Sequence, residues 1–161
     1  MMQSYPGPEC TVYVVDDDDS AREALKFVLE GQGFAVRTFP SGAEALAGAL
    51  VPDHSCLVTD YHMPGMDGLD LVGVLRTRGN PIPAVLVTGD PNRKVRDRAA
   101  AAKVPVVAKW NAAEDLVGRI HEMVKRKSTK FVESSKPRVF LTFQGQREGR
   151  EARGRCKEAI Q

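Results

Sequence analysis

The chain has 161 residues, 42% of them hydrophobic and 27% charged, with 23 Lys and Arg against 21 Asp and Glu. That length fits one domain of ordinary size with room for a tail and needs no disulfide or metal staple, while a net charge of +2 gives no general drive toward nucleic acid or membrane. Cys10, Cys56 and Cys156 form no Cys-x-x-Cys pair, the start is polar, and no apolar run approaches the ~20 residues of a membrane span, so a reduced, cytoplasmic protein is expected.

Short apolar runs alternate with helical patterns. TVYVV at 11–15 reads as a buried strand that ends in Asp16. A helix is expected over 20–30, opened by a Ser20/Glu23 capping box and carrying Ala21, Ala24, Leu25, Val28 and Leu29 at helical spacing. The second strand is 34–39. Ser41 and Glu44 form another capping box, before a helix through Ala45, Leu46, Ala49 and Leu50 that Pro52 closes. The third strand, 56–59, ends in Asp60. Asp67 then begins a helix with Leu69, Val72 and Leu75 on one face. The fourth strand, 84–87, leads to Thr88. Asp90 and Pro91 are expected to cap and start the fourth helix, which runs to about Ala102. Its Arg93, Lys94, Arg96 and Arg98 read as a solvated basic face. The fifth strand, 104–108, leads to Lys109. Asn111 and Glu114 resemble a third capping box before a last helix with Leu116, Val117, Ile120, Met123 and Val124.

Five strands alternating with five helices predict an α/β fold, a doubly wound parallel sheet with helices on both faces. The expected layout is a disordered N-terminus at 1–10, the domain at 11–127 and a weakly ordered basic tail at 128–161. Residues 130–161 hold eight basic and four acidic residues, against fifteen and seventeen before them. That tail has one apolar patch, Val139–Phe143, and is expected to be too short for a DNA-binding unit.

Ligands of parallel α/β sheets bind at the carboxyl ends of the strands. Those ends are Asp16 to Asp19, Asp60, Thr88 and Lys109. If the first and third strands are neighbours, their acids share a pocket. Crowded carboxylates repel, and a hard divalent cation relieves the repulsion. With a hydroxyl and an ammonium opposite, such a pocket suits a tetrahedral anion and the charge of a transferring phosphoryl group. Asp18 and Asp19 are better read as caps of the first helix.

The motifs VVDDDDS at 14–20, VTDYHMPGMDG at 58–68, VLVTGD at 85–90 and VAK at 107–109 together resemble the receiver domain of two-component response regulators, over about Thr11 to Lys127. The resemblance implies a five-stranded sheet of order 2-1-3-4-5. It also implies Asp60 as phosphoacceptor and Mg²⁺ as cofactor, held by Asp16, Asp17, Asp60 and the backbone carbonyl of His62. Thr88 and Lys109 correspond to the phosphoryl-stabilising pair, and Pro64 and Gly68 shape the loop after Asp60. The implied partners are a sensor histidine kinase or histidine phosphotransfer protein and an unknown downstream protein. The fourth helix and fifth strand region is a candidate homodimer surface, and neither membrane association nor direct DNA binding is expected.

Two positions depart from the family pattern. Trp110 stands where the family usually has proline, and Val106 where many members carry an aromatic switch. Both belong to the candidate signalling surface. The first reading is a single-domain response regulator, a phosphoacceptor rather than an enzyme. A second is a receiver-like binding module that is never phosphorylated. A third is a phosphatase similar to the haloacid dehalogenase family, based on Asp16-x-Asp18-x-Ser20; it leaves Asp60 unexplained.

Overall fold

The computed structural model describes residues 10–134. The strands are β1 (Thr11–Val15), β2 (Ala35–Phe39), β3 (Ser55–Asp60), β4 (Ala84–Thr88) and β5 (Val106–Ala108). They form one parallel sheet in the order β2-β1-β3-β4-β5. The helices are α1 (Asp19–Gly31), α2 (Gly42–Ala47), α3 (Gly68–Thr77), α4 (Arg93–Ala101) and α5 (Ala112–Ser134), with a 3₁₀ turn at Lys109–Asn111 before the last.

The alternation of side chains along each strand divides the core in two. Tyr13, Val15, Leu57 and Leu86 face Leu71 and Leu75 of α3 and Val95 and Ala99 of α4. Val12, Val14, Cys56, Val58, Val85, Val87 and Val107 face Leu29 of α1 and Leu116 and Ile120 of α5. The central strands carry apolar side chains on both faces, which is why they read as unbroken apolar runs rather than alternating ones. Among the described residues no helix is long and apolar enough to cross a membrane.

Helix starts differ from expectation at two places. Asp18, one of the two acids read as caps of the first helix, caps α1 and accepts from the Ala21 amide at 3.0 Å, while the Ser20 capping box does not open the helix. The strand ends one residue before Asp16, so the chain has already turned into the helix when it reaches Ser20. Asn92, not Asp90, caps α4 and accepts from Val95; the Asp90 carboxylate accepts from the Asn92 side chain instead, and its amide donates to the Thr88 hydroxyl. Ser41 and Asp67 cap α2 and α3 as expected. Helix α5 continues past position 127 to Ser134, because no glycine or proline interrupts the chain between Gly118 and Pro137. The expected N-terminal segment up to residue 9 and the tail from 135, with its apolar patch, lie outside the described residues.

The basic face of α4 is not uniformly solvated. Arg93 is exposed and pairs with Asp97 one turn on. Arg98 instead reaches across to α3, with a nitrogen 2.7 Å from Asp67 Oδ2 and another 3.3 Å from Asp70 Oδ1. Partial burial alone would raise the Asp67 carboxyl, but the Arg98 hydrogen bond and the Asp70 amide outweigh it and hold it below its ordinary value.

A depressed carboxyl stabilises the fold above its unfolded value and loses that stabilisation as pH falls through its folded value. Asp67→Ala should therefore cost about 1 kcal/mol or more at neutral pH, since it removes a cap as well as the ion pair. The gap from wild type should shrink below about pH 4, read from thermal unfolding across pH. Gly68 should be equally intolerant. A Cβ there would lie 2.2 Å from the Asp60 carbonyl oxygen and 2.9 Å from Leu86 Cδ1, so Gly68→Ala should lose roughly 1–3 kcal/mol in the same measurement.

Candidate functional site

The register of the sheet assembles the site. Val15 pairs with Thr59, so the next residues, Asp16 and Asp60, stand level at the carboxyl edge. Asp60 pairs with Val87 and Thr88 with Ala108, which places Thr88 one step beyond Asp60 and Lys109 one step beyond that. The four side chains picked from strand ends are thereby neighbours, although they come from four strands.

Asp16 and Asp60 are 1% and 5% exposed and Thr88 is fully buried. Lys109 bridges the two acids, its Nζ 3.1 Å from Asp16 Oδ2 and 3.3 Å from Asp60 Oδ1. Burial and the neighbouring Asp16 charge raise the Asp60 carboxyl above its ordinary value, against the pull of Lys109. Burial works against the Lys109 ammonium, but its hydrogen bond to Asp16 and the Asp60 charge prevail and raise it. The second oxygen of Asp16 accepts from the Asp18 amide at 2.9 Å, and the Asp18 carboxyl is lowered by the Ala21 amide it caps.

Asp17 is exposed at the rim. Its carboxylate, with those of Asp16 and Asp60, offers ligand atoms all within 4.8 Å of one another. Three carboxylates against one ammonium leave the cluster two charges negative if all are ionised. The donors are all oxygen. That charge and that donor set fit a hard divalent cation.

The remaining expected residues are placed around this centre. His62 is exposed in the loop after Asp60, its ring edge-on to Tyr61 at 4.7 Å. Val106 is half-buried on the α3–α4 side of the sheet. Trp110 is 69% exposed in the 3₁₀ turn, and the peptide bonds there are all trans. With Ala21, Ala24, Leu25, Val28, Ala113, Asp16 and Lys109 it lines an apolar cavity of about 270 Å³ between α1 and α5.

Two arginines of the site's surroundings were not singled out from the sequence for a structural role. Arg22 donates to the Asp16 carbonyl at 2.7 Å and pairs with Asp19, so it ties the first turn of α1 to the acidic edge. Arg98 donates to the hydroxyl of Tyr61, the residue after Asp60, at 2.6 Å. Arg22 lies six residues from its acceptor and was within reach of a local reading; Arg98 has partners 31 and 37 residues away and gave no local signal.

Two buried acids held by one lysine are a strained arrangement. Without divalent cation, Asp60→Asn should raise the unfolding free energy by roughly 0.5–2 kcal/mol, as substitutions that relieve functional strain do. Denaturant unfolding in chelator measures it.

Comparison with known proteins agrees with this fold. The response regulator receiver domain family matches residues 12–121. The transcriptional regulatory protein FixJ of Azorhizobium caulinodans is 44% identical over 78 residues, 48% of this chain and 37% of that protein. The C4-dicarboxylate transport transcriptional regulatory protein DctD of Rhizobium meliloti is 40% identical over 79 residues, 49% of this chain and 17% of that protein. The matched stretches are thus well under half of those curated relatives. Among solved structures, FixJ-N superposes with a TM-score of 0.66 at 29% identity, covering 74% of this chain and 96% of that one. The response regulator StyR does so at 0.67 and 32%, covering 86% and 72%.

Proposed function

Because the chain belongs to the response regulator receiver domain family, we propose that it accepts a phosphoryl group on Asp60 from a phosphohistidine of a sensor kinase or phosphotransfer protein. The observation that carries this reading is the placement of Asp60 against Asp16 and Lys109, with Thr88 one strand away. An Asp60 carboxylate oxygen attacks phosphorus as the phosphorus–nitrogen bond of the donor breaks, and the product is an acyl phosphate. Lys109 already lies 3.3 Å from Asp60, where its ammonium can pair with the incoming phosphoryl oxygens. The Thr88 hydroxyl, a donor as well as an acceptor, is the neutral group nearest in the strand register. Asp16, Asp17 and Asp60 would hold Mg²⁺, which when bound neutralises acid and phosphoryl charge together. The His62 carbonyl, by its place two residues past Asp60, would complete that site.

The product would act through phosphorylation-dependent contacts with other proteins in the cytoplasm. Val106, Trp110 and α4 are the surface proposed to carry them, and a homodimer through α4 and β5 is one form they could take. The phosphatase reading needs Asp18 as a working acid. Its carboxylate is instead the cap of α1, and Asp60 has no part in that chemistry.

Incubation with Mg²⁺ and acetyl phosphate should add one acid-labile phosphoryl group that base and hydroxylamine also remove, seen by intact mass. Asp60→Asn should abolish it, and chelator should reduce it strongly. Labelling of Asp60→Asn to the wild-type extent would falsify the assignment.

A further inference from the structure

Helix α4 is held by polar ties more than by its core. Of its nine residues, Val95 and Ala99 are buried. One tie is the chain from Thr88, whose hydroxyl accepts from the Asp90 amide at 3.1 Å, to Asn92, which bonds Asp90 and caps the helix. The other is Arg98. It donates to the Tyr61 hydroxyl at 2.6 Å and to Asp67 at 2.7 Å, reaches Asp70 at 3.3 Å, and lies over the Tyr61 ring at 5.6 Å.

Tyr61 is a rigid anchor for this tie. It is 8% exposed and follows Asp60 directly. Its amide donates to the Val87 carbonyl at 3.0 Å, and its carbonyl accepts from the Gly68 amide at 3.2 Å. Both ties of α4 therefore start beside the same acid, one through its chain neighbour and one through the hydroxyl of the adjacent strand.

We propose that Arg98 and Tyr61 form a latch that holds α4 in its resting position and is released when Asp60 carries a phosphoryl group. This inference rests on the phosphoacceptor reading above. A phosphoryl group on Asp60 is a new, strong acceptor for the buried Thr88 hydroxyl. Turning Thr88 toward it disturbs the acceptor of the Asp90 amide and pulls the start of α4, while Arg98 holds the last turn of the helix to Tyr61 and Asp67. The two ties then oppose each other. By linkage, a contact made only in the resting state weakens phosphoryl binding by the factor by which phosphoryl binding weakens the contact.

The test is a titration with beryllium fluoride, a phosphoryl mimic, in Mg²⁺ by calorimetry, with fluorescence of Trp110, the one tryptophan of the chain, as a second readout. Tyr61→Phe keeps the ring and removes the hydroxyl. Asp67→Asn keeps a capping residue, since Asn caps as well as Asp, and removes the charge that holds Arg98. Each should bind the mimic about fivefold more tightly, the low end of measured couplings between sites. Arg93→Ala, which loses only an exposed pair, should follow wild type. A merely structural tie would move the melting temperature and leave the affinity alone. If either latch variant binds no more tightly than wild type, the latch is overturned. A wild type that takes no phosphoryl group from acetyl phosphate overturns the phosphoacceptor reading and the latch with it; one that does, with unchanged variants, overturns the latch alone.

Discussion

Asp16 and Asp60 leave the sheet side by side because Val15 pairs with Thr59, and both are almost wholly buried. Two carboxylates in that position repel each other and are poorly solvated. Everything around them answers that constraint. Lys109 comes from β5, two strands from Asp60, to bridge them. The Asp18 amide and the Arg22 side chain both engage Asp16 at the start of α1. Gly68 keeps α3 close enough that its own amide reaches back to Tyr61, which a Cβ against the Asp60 carbonyl would prevent. The acidic edge is costly to the fold, and the neighbouring elements are arranged to bear it.

The same constraint explains what was legible in the sequence. A strand buried on both faces is a short run of mostly apolar residues, and TVYVV, CLVT and AVLV announce themselves. A polar residue at the end of such a run stands out, so Asp16, Asp60, Thr88 and Lys109 could be read off by position. The parallel pairing then brings them together with no further information. Charge and composition alone said little, because the near-zero sum averages a clustered acidic edge with basic residues elsewhere.

What was not legible has the opposite character. Helix starts with several good caps in a row are ambiguous, since Asp18, Asp19 and Ser20 all suit the position; the choice is set by where β1 lets go of the chain. Asp90 and Asn92 pose the same problem on either side of Pro91. Arg98 is harder still. On α4 it sits between Asp97 and a run of alanines, and Asp67, Asp70 and Tyr61 become its partners only when β3 and β4 lie together and set α3 beside α4. A local pattern cannot report a contact that topology creates.

Trp110 shows why position must be weighed with environment. The residue after Lys109 shares the lysine's backbone, and the 3₁₀ turn carries it straight into α5. Its ring is mostly in solvent, where an indole gains little by staying, yet it lines an apolar cavity together with Asp16 and Lys109. Small side chains, Ala21, Ala24 and Ala113, make that cavity by leaving room between α1 and α5. The indole thus stands at the point where the acidic edge meets the surface, so a change in the Lys109 side chain cannot be isolated from it. Val106, at the other end of β5, packs into the core instead. The turn after the short strand therefore carries its large aromatic ring on the α1–α5 side, while α4 on the opposite side is tied through Arg98.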